Sequence, residues 1–508
     1  MKAPGVRLWT PLVVWLSACA VGPNFVRPRS EPSPSWGRLD EPGITAGETV
    51  ETAWWDGFED PILTELVRLA AHANHDVRIA EARVREARGL RGVVRADLFP
   101  TITADGDYQR EQRSKNQPFL GSLPIPRGPE DLFEAGFDAT WEVDLWGRVR
   151  RSVEAADADQ HAAEAERRDV LITIIGELAR EYVEFRGFQR QIEVTEKNVA
   201  IQRGLFELTR YLARAGLSTD VEVARAEAQV DATDSTLPTL RAEAKARIHR
   251  LSVLTGQPPL ALDARLEPIA QVPTPPSRVV VGAPADALRH RADVRAAEDA
   301  LAAATARIGV AVADLFPKVV LSGNLTLQSD SFGHLFDGDS AAFGVGPRVR
   351  WPLLDFGRIR SNITVQDARQ AAALTSYEQT VLRALEEAET ALVRYGEGQL
   401  NRDLVARSFA ASDTAVRLAQ DRYEHGLESF LTVLDAERDL FARESELVRS
   451  QTTVTTNAIA LYKALGGGWE PFEPTAPASQ DTATLVDAIP VLGTVRELGR
   501  QMRRTRAE

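Results

Sequence analysis

Residues 93–108 read VVRADLFPTITADGDY and residues 310–326 read VAVADLFPKVVLSGNLT, so the corner Ala-Asp-Leu-Phe-Pro is written twice, 217 residues apart. The likeness extends upstream: between Asp76–Pro100 and Asp293–Pro317, 13 of 25 aligned positions are identical. Downstream, DLWGRVR (144–150) answers LDFGRIR (354–360), and ARAGLSTDVEVARAE (213–227) answers YEHGLESFLTVLDAE (423–437). The offset there is 210, so the segment after the corner is seven residues longer in the first copy. Internal repetition decides what the folding unit is, and two copies are too few for a solenoid. The chain is one structural unit written twice.

Each corner is also a change of period. Upstream, from Asp60-Pro61 to Ala96, helix formers dominate, and Leu63, Leu66, Val67, Leu69 and Ala70 mark an apolar face. Downstream the period becomes two: Ile102, Ala104, Gly106 and Tyr108 alternate with Thr101, Thr103, Asp105 and Asp107. Past a Pro/Gly-rich loop, Phe137, Ala139, Trp141, Val143 and Leu145 alternate with Asp138, Thr140, Glu142 and Asp144. The second copy repeats this, with Val319, Leu321, Gly323, Leu325 and Leu327 on one side of a strand, then Phe343, Val345, Val349 and Trp351 opposite Arg348 and Arg350. One such strand is equally at home in a soluble sheet. Four in matching places fit transmembrane β-strands.

Two intervals, Gly147–Gly216 and Gly357–Gly426, are each 69 residues long, free of proline, and rich in Ala, Glu, Arg and Leu. A straight helix of that length extends roughly 100 Å and demands coiled-coil-like lateral partners. Each ends at a Gly where the chain turns, and a shorter helical run returns toward Gly256 or Gly466. The fold class expected is mainly α with membrane β: long coiled-coil helices plus four membrane strands per subunit. A soluble coiled-coil protein is the open alternative at this stage. The organisation expected is a signal peptide at 1–18, a lipidated N-terminal tether at 19–60 without a core of its own, and a first repeat at 61–256 with its β-hairpin at 100–146. A Pro-rich linker (257–284) leads to the second repeat at 285–468, with its hairpin at 317–356, and a polar tail at 469–508.

Composition narrows the function. The net charge of −13 disfavours nucleic acid as a partner. The single cysteine excludes an intrachain disulfide framework and a cysteine-based metal cluster. Cys19 follows a basic start (Lys2, Arg7) and a short apolar run ending Leu16-Ser17-Ala18. That run is too short to span a bilayer and reads as a secretory signal. Leu-Ser-Ala-Cys resembles the bacterial lipobox, which makes Cys19 the lipid-bearing (palmitate-carrying) mature N-terminus. Ala20, rather than Asp, after that cysteine favours the outer membrane. No mature helix is apolar enough to cross lipid, so only a closed barrel crosses. Four strands cannot close one, about eight being the practical minimum, and strands must be pooled between subunits. Three subunits supply enough for an open lumen.

The chain resembles the TolC-like outer-membrane efflux factors, in the lipoprotein branch of NodT type that serves resistance-nodulation-division pumps. The resemblance is carried by CAVGPNFVRP (19–28), WWDGFEDPILTELV (54–67), both ADLFP corners, WEVDLWGRVR (141–150), WPLLDFGRIR (351–360) and LYKALGGGW (461–469). It implies a homotrimer whose β-barrel continues into a periplasmic helical tunnel, with a periplasmic adaptor and an inner-membrane pump as partners and no cofactor. It further implies that the turns AGLST (215–219) and HGLES (425–429) are adaptor-docking tips, with Gly216, Leu217, Ser218, Gly426 and Leu427 at their apices. In YEHGLESFLTVLDAERDL the family's periplasmic gate falls on Asp435, with Leu431 one helical turn away and Tyr423 and Arg438 tying neighbouring helices. Thr432 stands where some relatives carry a second carboxylate, and Arg225 occupies the duplicated place in copy one, so a single acidic ring is expected. His72, His75 and Asp76 have helical metal-ligand spacing but no third ligand of clear context, and no phosphate-binding Gly loop or nucleophile elbow is present. An enzyme is therefore not expected. The competing function classes are an export duct and a lipid-anchored periplasmic coiled-coil scaffold.

Overall fold

The computed structural model describes residues 20–29, 33, 35–37, 42–47, 51–112, 129–425 and 427–473. Residues up to Gly468 form one compact unit, and a second begins at Trp469, of which the described part is a single turn of 3₁₀ helix at Glu470–Phe472.

In the first copy, helices α1 (Pro61–Ala73) and α2 (His75–Ala96) lead to a β-hairpin, then α3 (Arg148–Arg214) descends and α4 (Asp220–Asp234) and α5 (Leu237–Leu254) return. In the second, α6 (Ala292–Ala313) leads to a hairpin, α7 (Arg358–Glu424) descends and α8 (Phe430–Ala464) returns. The two long helices, α3 and α7, each run 67 residues, as the proline-free intervals predict. Both start just after a glycine in the left-handed region (Gly147, φ 80°; Gly357, φ 88°), a conformation that lets the chain turn from the short segment after a strand directly into a helix.

Two local departures have local causes. The helical stretch from Pro61 to Ala96 is broken at Asn74, whose side-chain oxygen accepts from the amides of Asp76 and Val77 while its amide donates to the Leu254 carbonyl at 2.9 Å. Asn competes with the helix backbone in this way, and prefers caps to helix interiors. The return of copy one is interrupted between Asp234 and Leu237, ahead of Pro238, whereas α8 is continuous over 35 residues. Proline is tolerated in a first helical turn, where its missing N–H has no intrahelical partner anyway.

Packing arranges the helices as a row. Near the strands the order is α2–α3–α6–α7; further away it is α4/α5–α3–α8–α7. The two copies meet along α3, and α2 and α7 stand at the ends. The strands repeat that order. β2 (Thr101–Glu111), β3 (Glu130–Val143), β5 (Lys318–Ser329) and β6 (Ala341–Arg350) form one antiparallel sheet in the order β2-β3-β5-β6, while β1 (Ile44–Ala46) pairs in parallel with β4 (Val279–Val281) elsewhere. Strand β3 starts seven residues before Phe137, where the alternation is read, because Leu132 falls on the polar side and obscures the period.

The repeated corner has a repeated lock. The Trp141 indole N–H donates to the Leu98 carbonyl and that of Trp351 to the Leu315 carbonyl, each at 3.0 Å. The strand that returns from each hairpin thus pins the Leu of its own ADLFP, one residue before a Phe-Pro that ends the helix. Trp146 does the same between copies: it donates to the Pro317 carbonyl at 2.9 Å and stacks on Phe316 with centroids 4.7 Å apart.

Far from the corners, Trp54 stacks flat on Tyr462 at 5.3 Å, bringing the segment that opens at Trp54 and the end of α8 into one core. Arg186 is almost wholly buried, and donates to the Tyr182 hydroxyl, Gln189 and the Pro268 carbonyl; Tyr182 in turn donates to Asp60, the N-cap of α1. A buried guanidinium is tolerable when its donors are met. The N-terminal segment is better anchored than a tether without a core: Trp36 is buried, its indole donating to the Gly282 carbonyl at 2.7 Å, and β1 borrows the linker strand β4 as its partner. Neither side of that contact carries a periodic signal.

Candidate functional site

The sheet register decides which side chains share a face. Across the four strands the rows Ile102–Ala139–Gly323–Val345, Ala104–Phe137–Leu325–Phe343 and Gly106–Ala135–Leu327–Ala341 are apolar throughout. Of the alternate rows, Thr101–Thr140–Ser322–Gly346, Thr103–Asp138–Asn324–Gly344 and Asp107–Glu134–Gln328 are polar or glycine, while Asp105–Gly136–Thr326–Ala342 and Glu142–Val320–Arg348 each include one apolar residue. A one-residue slip in any pair would mix the two faces. The apolar face is uncovered: Phe343 is 83% exposed, and Ile102, Phe137, Leu325, Val345 and Val349 are exposed as well. Aromatic residues gather at both ends of this band, Tyr108, Phe133, Phe332 and Phe336 at the loop end, and Trp141, Trp146, Trp351 and Phe316 at the helix end. An apolar band with aromatic girdles and a polar reverse face is the pattern of a lipid-facing barrel wall. Among the described residues no helix is long and apolar enough to cross a membrane.

At the opposite end of the helices lie the two turns. Leu217 and Leu427 each donate their backbone N–H five residues back, to the carbonyls of Leu212 and Arg422 (2.8 and 2.9 Å), which closes helices α3 and α7 with the same tight turn. Gly216 has φ +72°, and Gly426 lies outside the described residues. Thr219 and Glu222 form a reciprocal capping box at the start of α4, and Ser218 donates to Glu222 at 2.6 Å. Ser429 caps α8. Both leucines project outward, 76% and 67% exposed.

Asp435 and Leu431 are exposed on the first two turns of α8, one above the other. Tyr423, in the last turn of α7, lies against Phe430 with ring centroids 5.9 Å apart. Asp435, Arg438 and the Tyr423 hydroxyl form no hydrogen bond or ion pair among the described residues of the single chain. Thr432 takes part in the Ser429 cap and donates to Glu428.

The model of the family described as outer membrane efflux protein matches residues 66–257 and 283–467. The chain belongs to the outer membrane efflux protein family. It is 31% identical over 468 residues to Nodulation protein T of Rhizobium leguminosarum bv. trifolii, covering 92% of this chain and 98% of that one. To the toluene efflux pump outer membrane protein TtgC of Pseudomonas putida it is 30% identical, covering 92% and 96%. Its fold superposes on the outer-membrane channel OprN with TM-score 0.83 at 36% identity (89% and 100% covered), and on the open-state MtrE channel of Neisseria gonorrhoeae with TM-score 0.77 at 26% (89% and 98%). An efflux protein of this family is a transport protein and not an enzyme. His72 and His75 fall on two different helices, both exposed, and no group of three or more potential metal ligands occurs among the described residues.

Cys19 lies outside the described residues, but its neighbours do not. The Val21 amide donates to the Trp146 carbonyl at 3.0 Å, and Ala20 packs so closely on Gly147 that a Cβ there would come within 2.7 Å of it. Arg151, nearly buried, holds the Asn24 side chain at 2.6 Å and the Val21 and Gly22 carbonyls. The chain leaving Cys19 is thus seated where β3 gives way to α3.

Sequence reasoning passed over one residue near the tips. Glu437 in α8 is buried against α7, with one carboxylate oxygen accepting from Gln420 at 3.1 Å and the other buried without a partner. Burial pushes its carboxyl up from the ordinary value, and the Gln420 hydrogen bond offsets that only in part. Its raised folded-state pKa means that the folded protein binds this proton more tightly. The contribution is fully present below the ordinary carboxylate value and is lost as pH rises through the raised one. Glu437→Gln, neutral throughout, is expected to stabilise the protein at pH 7 by about 1 kcal/mol, the scale of one hydrogen-bonding mismatch, and to flatten the dependence of Tm on pH. Parallel pH–Tm curves for parent and variant would contradict this account.

Proposed function

We propose that three copies of this chain assemble into an outer-membrane exit duct, a lipoprotein of NodT type acylated at Cys19, serving as the last stage of a tripartite efflux system. The observation that carries the reading is the four-stranded sheet, apolar on one face and, among the described residues, covered by no helix and unpaired at both edges, β2 and β6. Unpaired edges and an uncovered apolar face are costly in water. Both costs vanish if edge meets edge around a ring in lipid, and lipid tolerates only closed barrels. The ends of the helix row are continuous with the strand edges, since α2 runs into β2 and β6 into α7. A head-to-tail contact therefore closes sheet and helix row together. Three copies give roughly twelve strands, the smallest set beyond a side-chain-filled eight-stranded barrel that this unit can supply. The named relatives point to small-molecule export; a periplasmic adaptor would engage the tips carrying Gly216, Leu217, Ser218, Gly426 and Leu427. Asp435, Leu431, Tyr423 and Arg438 would form the periplasmic gate. The polar sheet face becomes the wall of the lumen, and the inner-membrane pump supplies both energy and selection.

Protein extracted in detergent is expected to be a trimer by native mass spectrometry, to be β-containing by circular dichroism, to conduct in planar bilayers, and to carry lipid on Cys19. A non-conducting, purely helical species would favour the lipid-anchored scaffold and sink the duct. An unmodified Cys19 on a conducting trimer would remove only the lipoprotein assignment.

A further inference from the structure

Both hairpins have the same register once the offsets of 217 and 210 are applied: Thr101 faces Thr140 in the first, and their equivalents Lys318 and Arg350 face each other in the second. The repeat is therefore preserved strand by strand, and the seam between copies inside the chain can be carried outward. Inside the chain, β3 pairs with β5, Thr140 facing Ser322 and Asp138 facing Asn324. The equivalents of those strands at the open edges are β6 and β2.

We infer that β6 of one copy pairs antiparallel with β2 of the next in the same register as the internal seam, placing Arg350 opposite Asp105 and Arg348 opposite Asp107, with Phe356 stacked on Phe99 of that next copy. This rests on the duct reading above and specifies its interface.

Three features that played no part in setting the register agree with it. The internal seam has uncharged or singly charged pairs (Thr140–Ser322, Asp138–Asn324), whereas the same positions at the edges hold two arginines and two aspartates, each meeting its opposite charge. Directly opposed unlike charges stabilise a strand pair, and like charges destabilise it. A shift of two residues would leave one Arg and one Asp unmatched. All four side chains are exposed, and none of Asp107, Arg348 and Arg350 forms an ion pair with another described residue. Second, the register keeps the faces consistent, with Val349 meeting Gly106 and Trp351 meeting Ala104 on the apolar side.

Third, the corner contact has its counterpart waiting. Internally Trp146 stacks on Phe316 of the following copy. Shifted by the same offsets, these positions become Phe356 and Phe99, which are 100% and 56% exposed in the single chain. Phe356 also has φ +53°, in the left-handed region that a non-glycine residue rarely occupies without compensation. Its ring is fully exposed in the single chain, and a stacked partner on the next copy supplies a contact.

The test is disulfide formation in the full-length, lipidated trimer, in which the acylated sulfur of Cys19 cannot compete. Directly opposed residues on antiparallel strands have Cα atoms about 4.5–5.5 Å apart, within disulfide reach, whereas diagonal positions at about 7–8 Å are outside it. Arg348→Cys with Asp107→Cys is expected to give covalently linked dimers and trimers on oxidation, at ten or more times the yield of Arg348→Cys with Asp105→Cys. Equal or inverted yields, or no linkage in material that is still trimeric by native mass spectrometry, would overturn the register and leave the duct standing. Parent protein that is monomeric would overturn both. In parallel, Arg348→Asp is expected to lower the temperature at which trimers dissociate in detergent, and adding Asp107→Arg to restore it. A double variant less stable than either single one would count against the pairing.

Discussion

Replacing Leu217 and Leu427 together by aspartate is expected to abolish export while trimer, membrane insertion and conductance remain those of the parent. The two side chains stand at the apices of the turns with most of their surface exposed, 76% and 67%, among the described residues. Their backbones are held by the chain itself, through the turn bonds to Leu212 and Arg422 and through the caps at Thr219 and Ser429. Substitution should therefore leave the helices intact, since exposed turn residues outside such bonds change stability by only a few tenths of a kcal/mol. Docking is another matter. Each leucine buried against a partner contributes about 1.5–3 kcal/mol, and a trimer presents both leucines three times. An aspartate in the same pocket adds a desolvation cost to the loss. Measured as drug accumulation in cells that express the adaptor and the pump, the double variant should behave as a deletion, with co-purification of the adaptor lost in step. Unchanged export would show that the turns are merely the ends of helices.

The second large effect concerns resting conductance. Joint replacement of Tyr423 by Phe and Arg438 by Ala should raise it several-fold, because both polar groups are without hydrogen-bond or ion-pair partners among the described residues and, in the proposed gate, would tie neighbouring helix pairs. A closure held by a few polar contacts of roughly 1 kcal/mol each is weak enough for pump assembly to release, and losing two of them shifts the population toward the open form. Asp435→Ala should leave the closed state largely in place but weaken cation selectivity, since three carboxylates converging on one axis attract cations and repel anions. Planar-bilayer recordings at two salt gradients separate these results. If both variants conduct and select like the parent, the gate lies elsewhere on the lumen wall.

The parts legible in the sequence are those fixed by neighbours along the chain. Alternation at Ile102–Tyr108 and Val319–Leu327, the glycines at 147 and 357, and proline-free stretches of helix formers are short-range statements about backbone sterics and side-chain direction. They are written wherever they act, and the structure has strands and 67-residue helices at those places. The break at Asn74 was legible in principle, as a cap residue three positions after Ala71, but a continuous apolar pattern on both sides concealed it. Leu132 hid the true start of β3 for the same reason, by falling on the wrong face.

What the tertiary structure alone decided is which distant residues meet. The duplication implied two corners, but not that Trp146 of one copy would stack on Phe316 of the other, nor that β3 and β5 would be the strands that join them. Nothing in residues 54–58 announces Tyr462 as the partner of Trp54. Nothing around Arg186 announces Pro268 and, through Tyr182, Asp60. Glu437 looks in sequence like the solvated surface residues around it, and only the approach of α7 buries it. Period and punctuation are properties of a few consecutive residues, set by excluded volume. Register, burial and the meeting of charges belong to the packed chain, because they depend on which surfaces the whole fold removes from water.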